Sequence, residues 1–91
     1  MFIIIAYDIS DDRRRQRLAK LLLDYGTRVQ KSVFECDLDD GRYLKLKKKI
    51  EEIIDWEDDS VRYYLPCSRC QANIEVSGWG VVREEDEVII V

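Results

Sequence analysis

The chain has 91 residues, of which 46% are hydrophobic and 37% are charged, with a net charge of −4 and no histidine. These values are typical of a soluble globular protein, and the length predicts one domain over residues 1–91. The lack of histidine excludes Ser-His and Cys-His nucleophilic pairs and most catalytic zinc sites. No apolar run is long enough to span a membrane and the N-terminus has no signal-peptide pattern, so we expect a cytoplasmic protein without membrane contact.

The first predicted element is a short strand from Phe2 to Tyr7, rich in β-branched residues. The strand shows no alternation of apolar and polar residues, which predicts a central position with both faces covered. It ends at Asp8, a lone carboxylate at the carboxyl end of the strand, where mixed α and β chains often place functional groups. From this segment alone, a turn residue and a functional residue are equally good interpretations of Asp8.

A first helix is predicted from about Asp12 to Tyr25, ending at Gly26, because leucines recur there at helical spacing behind acidic cap candidates. Its first turns carry four arginines, which are Arg13, Arg14, Arg15 and Arg17. Such a run on an isolated helix is usually a solvated face. Its density beside Asp8 instead favours phosphate contacts by the last three.

Basic residues are concentrated in one part of this acidic chain. Seven of them lie between Arg13 and Lys31, against one acid, Asp24, whereas acids collect at residues 37–40, 55–59 and 84–87. The overall acidity argues against indiscriminate nucleic-acid binding, but a local basic stripe can bind a phosphate backbone.

Residues 27–38 are predicted to be β structure, and their apolar alternation breaks around residues 30–32. The break indicates either one strand with a bulge or two short strands joined by a tight turn. A second helix follows a cap at Asp39–Gly41, and residues 55–59 are interpreted as an acidic connection and not as a calcium loop. The predicted buried face of this helix comprises Tyr43, Leu46, Ile50, Ile53 and Ile54.

The C-terminal third is predicted to contain three strands: Ser60 to Pro66, Ala72 to Ser77 and Glu87 to Val91, with a turn at residues 78–80. Cys67 and Cys70 form a C-x-x-C pair in the loop after the first of these. The pair has neither the following helix of a redox dithiol nor the second pair of a zinc ribbon, which argues against both kinds of site. With Cys36 the chain has three cysteines, too few for a secreted disulfide framework.

This order of elements predicts an α+β fold, a ferredoxin-like β-α-β-β-α-β sandwich with a C-terminal strand extension. Both helices of such a fold lie on one face of the sheet. Because the first strand is apolar on both sides, we expect a second copy of the chain to cover the open face. The predicted assembly is therefore a homodimer, with the terminal apolar run paired across the interface.

Two segments, residues 6–12 and residues 28–35, together with the arginine-rich helix between them, resemble the second CRISPR-associated protein family. Its members are small metal-dependent nucleases that partner the integrase in spacer acquisition. The resemblance covers essentially the whole chain, apart from the cysteine pair and the turn at Trp79. It implies a homodimer with a divalent metal, Mg²⁺ or alternatively Mn²⁺, between the Asp8 residues of the two subunits.

The resemblance also implies roles for other residues. The positions that match residues supporting cleavage or nucleic-acid contact in relatives are Tyr7, Arg15, Arg17, Arg28 and Phe34, and together with Asp8 they are the predicted catalytic residues. The residues expected to bind nucleic acid are Arg14, Arg15, Arg17, Arg28 and Lys31. The implied activity is cleavage of single-stranded RNA, double-stranded DNA or both, with integrase dimers as partners. One metal with few protein ligands predicts that this cleavage is slow. Two alternatives stay open: a non-catalytic DNA-binding scaffold between integrase dimers, and an RNA-binding or toxin-like regulator on the same fold.

Overall fold

The computed structural model of the chain describes residues 1–66 and 72–79. The elements are β1 (Phe2–Asp8), α1 (Asp12–Leu23), β2 (Gly26–Gln30), β3 (Val33–Asp37), α2 (Asp40–Ile53), β4 (Ser60–Pro66) and β5 (Ala72–Gly78). The five strands form one antiparallel sheet in the order β2-β3-β1-β4-β5. The first four strands have the order of a split β-α-β unit, so the predicted α+β ferredoxin-like fold is confirmed.

One face of the sheet and the inner faces of both helices form the core. On β1 the buried side chains are Ile3, Ile5 and Tyr7, and they contact the same cluster as Leu18 of α1 and Leu46 of α2. The alternate residues of β1 point away from the helices, as strand geometry requires. Within one chain the helices therefore cover only one face of β1, and the predicted cover of the other face by a second copy stays a prediction.

The open face of the sheet carries a mixture of apolar and charged side chains around the centre of β1. Ile4 lies between Glu35 of β3 and Tyr64 of β4 in the strand register. Two residues further along β1, Ala6 lies between Val33 and Arg62. Apart from Glu35, which is exposed, these residues are half-buried, although α1 and α2 pack on the opposite face of the sheet.

The prediction for the end of the first helix was wrong. α1 begins after the N-cap Asp11, whose side chain accepts a hydrogen bond from the Arg14 backbone N–H at 2.9 Å, which lowers the pKa of Asp11. The helix ends at Leu23, and Gly26 opens β2 instead of capping the helix. A Cβ atom at Gly26 would lie 2.2 Å from the Glu35 carbonyl oxygen, so the glycine permits close approach of β2 to β3.

The β segment that follows consists of two strands. β2 and β3 form a hairpin whose turn is Lys31 and Ser32, and the register shifts between Arg28 and Gln30. The tight turn and the irregularity, which the sequence offered as alternatives, therefore occur together.

The remaining predicted elements agree with the structure except at two residues: Ile53 is half-buried, and Gly78 ends β5 and does not begin a turn. Asp39 caps α2, and the buried residues of this helix are Tyr43, Leu46 and Ile50, with Ile54 buried directly after it. β4 spans Ser60–Pro66 as predicted. No helix in the described part of the chain is long and apolar enough to cross a membrane. The Cys67 and Cys70 pair, Gly80 and the strand predicted at residues 87–91 lie outside the described residues.

Candidate functional site

A cleft of about 520 Å³ opens at the carboxyl end of β1, between α1 and the β2–β3 hairpin. Its charged lining residues are Asp8, Arg15, Lys20, Arg28 and Lys31. Among the described residues the cleft thus combines four cations with one carboxylate. This excess of positive charge suits a polyanion such as a phosphate backbone.

Asp8 is the last residue of β1, and its side chain is exposed at the mouth of the cleft. Because side chains alternate along a strand and Tyr7 is buried under the helices, Asp8 belongs to the open face of the sheet with Ala6. In residues 1–66 and 72–79 no three acidic or cysteine side chains converge as a metal site. A single carboxylate is a poor site for Mg²⁺, whereas two carboxylates from two chains, completed by water, fit this oxygen-seeking cation.

Tyr7, Arg28 and Phe34 form one cluster behind Asp8, at the hairpin turn. The carbonyl oxygen of Lys31 accepts hydrogen bonds from Arg28 Nη2 at 2.7 Å, from Arg28 Nε at 3.2 Å and from the Tyr7 hydroxyl at 3.4 Å. The Arg28 guanidinium carbon lies 5.6 Å from the centre of the Phe34 ring, and this ring stacks on Tyr7 with centroids 6.3 Å apart. The structure therefore brings these three predicted residues together.

The members of this cluster differ in how accessible they are. Phe34 is fully buried and Tyr7 is 6% exposed, whereas Arg28 is exposed. The backbone N–H of Tyr7 also donates to the Ser32 carbonyl oxygen at 3.1 Å, which anchors the hairpin turn to β1. Because Phe34 is buried, its effect on the cleft is to hold Tyr7 and Arg28 in position. Arg28 is the member of the cluster that can contact a ligand.

Arg15 lies on the cleft side of α1. Its Nη1 atom donates to the Ile9 carbonyl oxygen at 3.0 Å, and its Nη2 atom pairs with the Asp12 carboxylate. These bonds hold the guanidinium against the connection between β1 and α1. Since 38% of the side chain stays exposed, Arg15 can also contact a ligand in the cleft.

Arg14 lies on the other flank of α1 and has a partner within the chain. Its Nε atom donates to Asp59 Oδ2 at 2.7 Å and its Nη2 atom to Oδ1 at 3.3 Å. Arg17 is exposed and follows Arg14 by three residues, which places it on the same flank and outside the cleft. The predicted nucleic-acid contacts of both residues stay predictions, and for Arg14 the structure adds a role in the fold.

Reasoning from the sequence missed two residues, one that supports α1 and one that lines the cleft. Residues 55–59 are predicted to be an acidic connection, but the Asp59 side chain is fully buried beneath Arg14. Lys20 was counted in the basic stripe without a role, yet it lines the cleft. Its spacing of one helical turn from Gln16, another lining residue, was the available signal. No local signal distinguished Asp59 from its acidic neighbours.

Comparisons with known proteins agree on one family. Residues 1–74 match the family described as CRISPR associated protein Cas2. The chain is 46% identical over 92 residues to a protein of Chloroflexus aurantiacus named CRISPR-associated endoribonuclease Cas2 1, covering 100% of this chain and 99% of that one. It is 43% identical to the CRISPR-associated endonuclease Cas2 2 of Thermus thermophilus, covering 92% of this chain and 89% of that one.

A solved structure supports the same assignment. The crystal structure of Streptococcus pyogenes Cas2 matches with a TM-score of 0.69 and 38% sequence identity, over 74% of this chain and 87% of that one. The matching fold, the identities over nearly the full length and the two sequence motifs all point the same way. The chain therefore belongs to the Cas2 family of CRISPR-associated proteins.

Proposed function

We propose that this chain is a metal-dependent endonuclease of CRISPR spacer acquisition, which hydrolyses phosphodiester bonds in single-stranded RNA, double-stranded DNA or both. The observation that carries the proposal is an exposed carboxylate in a cationic cleft: Asp8 is the one acid, beside four cations, among the described residues that line it. Relatives named endoribonuclease and endonuclease agree with cleavage and leave both substrates open.

The cations flank the cleft from two sides, which suits a nucleic-acid strand running between them. Arg15 and Lys20 belong to α1, and Arg28 and Lys31 belong to the hairpin. Arg28 uses Nε and Nη2 to bind the Lys31 carbonyl oxygen, which leaves Nη1 for a phosphate oxygen. Because Phe34 and the turn fix its position, this guanidinium loses little freedom when it binds a phosphate.

Asp8 is the proposed metal ligand, in a homodimer that supplies one such carboxylate from each subunit. When bound, Mg²⁺ or Mn²⁺ would supply a Lewis acid that stabilises charge on the phosphodiester and makes a water more nucleophilic. The open face that carries Asp8 also carries Ile4 and Ala6. A second copy that covers these apolar residues therefore also approaches Asp8.

A second candidate function is a non-catalytic dimeric scaffold that holds duplex DNA between integrase dimers. The scarcity of catalytic groups favours it. Asp8 is the only acid among the described residues that line the cleft, and the Tyr7 hydroxyl is already directed at a carbonyl oxygen. In this alternative the four cations bind the phosphate backbone without cleaving it.

The test compares the wild-type protein with Asp8→Asn, and with Asp24→Asn as a matched control at an exposed acid on the far end of α1. Single-stranded RNA and duplex DNA are incubated with each protein in Mg²⁺, Mn²⁺ or EDTA. We expect Asp8→Asn to lower the cleavage rate on the order of 100-fold or more, because metal affinity and water activation depend on the anionic oxygens. Asp24→Asn should cleave at the wild-type rate.

Measuring nucleic-acid binding and dimer formation alongside cleavage distinguishes the nuclease from the scaffold. Nucleic-acid binding should survive in Asp8→Asn. In EDTA the Asp8→Asn dimer should be at least as strong as the wild-type dimer, because two facing carboxylates without a metal repel each other and two amides do not. Equal cleavage by wild type and Asp8→Asn would indicate a contaminating nuclease and refute the catalytic role. Absence of cleavage in both, with intact duplex binding, would support the scaffold.

A further inference from the structure

The two tryptophans of the chain meet at one corner of the fold, one within a turn and one hydrogen-bonded to it, and both are exposed. Trp56, in the turn between α2 and β4, is 52% exposed, and Trp79, after β5, is 47% exposed. Trp79 is attached to that turn, because its backbone N–H donates to the Asp59 carbonyl oxygen at 3.0 Å and its indole Nε1 to the Asp58 carbonyl oxygen at 3.1 Å. We call residues 55–59 with Gly78 and Trp79 the tryptophan corner.

The tryptophan corner is held rigidly by contacts from three elements. Gly78 has a φ of 97°, and a Cβ atom there would lie 2.0 Å from the Asp59 carbonyl oxygen. The Asp59 side chain binds Arg14 of α1 and accepts the Asp55 backbone N–H at 2.8 Å. The Asp55 side chain in turn accepts the Glu57 N–H at 2.9 Å. The backbone that carries both tryptophans and the Trp79 indole are therefore held in place, which lowers the entropy lost on binding.

Exposed tryptophan is a strong marker of a protein interface, because indole rings bury a large area and dominate binding energy when a partner covers them. The exposed charges of the corner are acidic, Glu57 and Asp58, while Asp59 is neutralised by Arg14. This arrangement repels a phosphate backbone and attracts cations. It contrasts with the cationic cleft on the opposite flank of α1, where Arg15 lies.

We propose that the tryptophan corner is a docking site for a basic, arginine-rich segment of a partner protein. Guanidinium groups of that segment would stack on the exposed faces of Trp56 and Trp79 and pair with Glu57 and Asp58. Arginine fits better than lysine because its planar group stacks on indole and pairs with a carboxylate at the same time. The proposal uses neither Asp8 nor the cleft, so it does not depend on the cleavage activity.

Intrinsic fluorescence tests this site directly, because the only two tryptophans of the chain are in it. The full-length protein is titrated with a short synthetic peptide of alternating arginine and leucine, and separately with a single-stranded RNA oligonucleotide. We expect the peptide to change tryptophan emission saturably and RNA at the same concentration to leave it unchanged. A lysine–leucine peptide should bind more weakly than the arginine–leucine peptide.

Variants identify which groups hold the peptide, and Trp79 remains as the reporter when Trp56 is removed. Trp56→Ala should weaken binding about tenfold, as for the loss of a central aromatic anchor. The pair Glu57→Gln and Asp58→Asn should weaken binding and reduce its dependence on salt. The charge-matched pair Asp24→Asn and Glu52→Gln, and the exposed-leucine control Leu44→Ala, should bind as wild type does.

Three outcomes would overturn the proposal. The first is wild-type peptide affinity in Trp56→Ala. The second is a saturable change of tryptophan emission on adding RNA, which would assign the corner to nucleic acid. The third is a change in the sedimentation of Trp56→Ala that shows loss of self-association, which would assign it to a second copy of the chain. A nuclease assay separates this proposal from the proposed cleavage activity: Trp56→Ala should cleave RNA and DNA at the wild-type rate.

Discussion

Arg14 Nε donates to Asp59 Oδ2 over 2.7 Å, and the carboxylate that it binds is completely buried. The pair joins the first turn of α1 to the residue before β4, whose first residue, Ser60, is the register partner of Asp8. The hydrogen bond with Asp59 raises the pKa of Arg14, so the guanidinium stays charged. Arg14, one of the three arginines predicted to contact phosphate, therefore also connects two of the elements that position the site.

Removing Arg14 should destabilise the fold. Arg14→Ala leaves the Asp59 carboxylate buried without a counter-charge, and we expect the melting temperature to fall by on the order of 10 °C. Arg13→Ala, at the exposed neighbouring position, should change it little. The double variant Arg14→Met with Asp59→Leu should be more stable than Arg14→Ala, because no charge stays buried. Circular dichroism melts measure all three, and a wild-type melting temperature for Arg14→Ala would contradict the structural role.

Removing Arg15 and Arg28 should weaken nucleic-acid binding through the cleft. Each lost phosphate contact should lower the slope of log affinity against log salt by about one unit. Fluorescence anisotropy of labelled RNA and duplex DNA at several salt concentrations measures both quantities. Arg13→Ala is the matched control, since this exposed arginine does not line the cleft.

Arg17→Ala in the same assay shows how far the interface extends across α1. If Arg17→Ala lowers the affinity, the nucleic-acid interface includes the flank of α1 that carries Arg14 and Arg17. Unchanged affinity and slope in the combined variant Arg15→Ala and Arg28→Ala would refute the assignment of the cleft as the binding surface.

A charge on the open face of the sheet should separate the proposed dimer. Ala6→Glu places a carboxylate between Val33 and Arg62 on this face, where a partner copy would have to bury it. We expect a folded monomer by light scattering, with unchanged helical circular dichroism. Leu44→Glu, at an exposed leucine of α2, is the control and should leave the assembly unchanged. A dimer of wild-type strength in Ala6→Glu would locate the interface elsewhere.

Glu75 of β5 should make stability depend on pH in the acid range. The hydrogen bond from the Tyr43 hydroxyl lowers the pKa of Glu75, and Lys47, with its ammonium 3.0 Å away, adds to the effect. A lowered folded-state pKa means that the stabilisation is complete above the ordinary value of 4.5 and is lost as pH falls through the folded-state pKa. Because Glu75 is partly exposed, solvent screening keeps the effect modest.

Urea unfolding of wild type and Glu75→Gln at neutral and strongly acidic pH tests this. Wild type should be the more stable protein at neutral pH, and the difference should shrink in acid. Glu52→Gln, at an exposed acid of α2, should show no such change between the two conditions. A difference of equal size at both pH values would mean that Glu75 contributes through packing and not through its charge.

The order of the elements and many of their boundaries follow from local patterns in the amino-acid sequence. β4 was predicted from Ser60 to Pro66 because period-two alternation is a local property of adjacent residues. The cap and buried face of α2 were predicted for the same reason, since helical spacing and an N-cap need only one segment. The family was identified from two short motifs, and the comparisons confirmed it.

The roles of several single residues depend instead on contacts between parts of the chain that are distant in sequence. Gly26 is needed for the close approach of Glu35, and Asp59 is buried by an arginine 45 positions away, so neither role is visible in the local sequence. Helical spacing alone places Arg14 and Arg15 on different sides of Leu18. Only the packing of α1 across the sheet decides which side faces the hairpin, because it orients the helix relative to strands that are far apart in sequence. That packing directs Arg15 into the cleft and Arg14 onto Asp59.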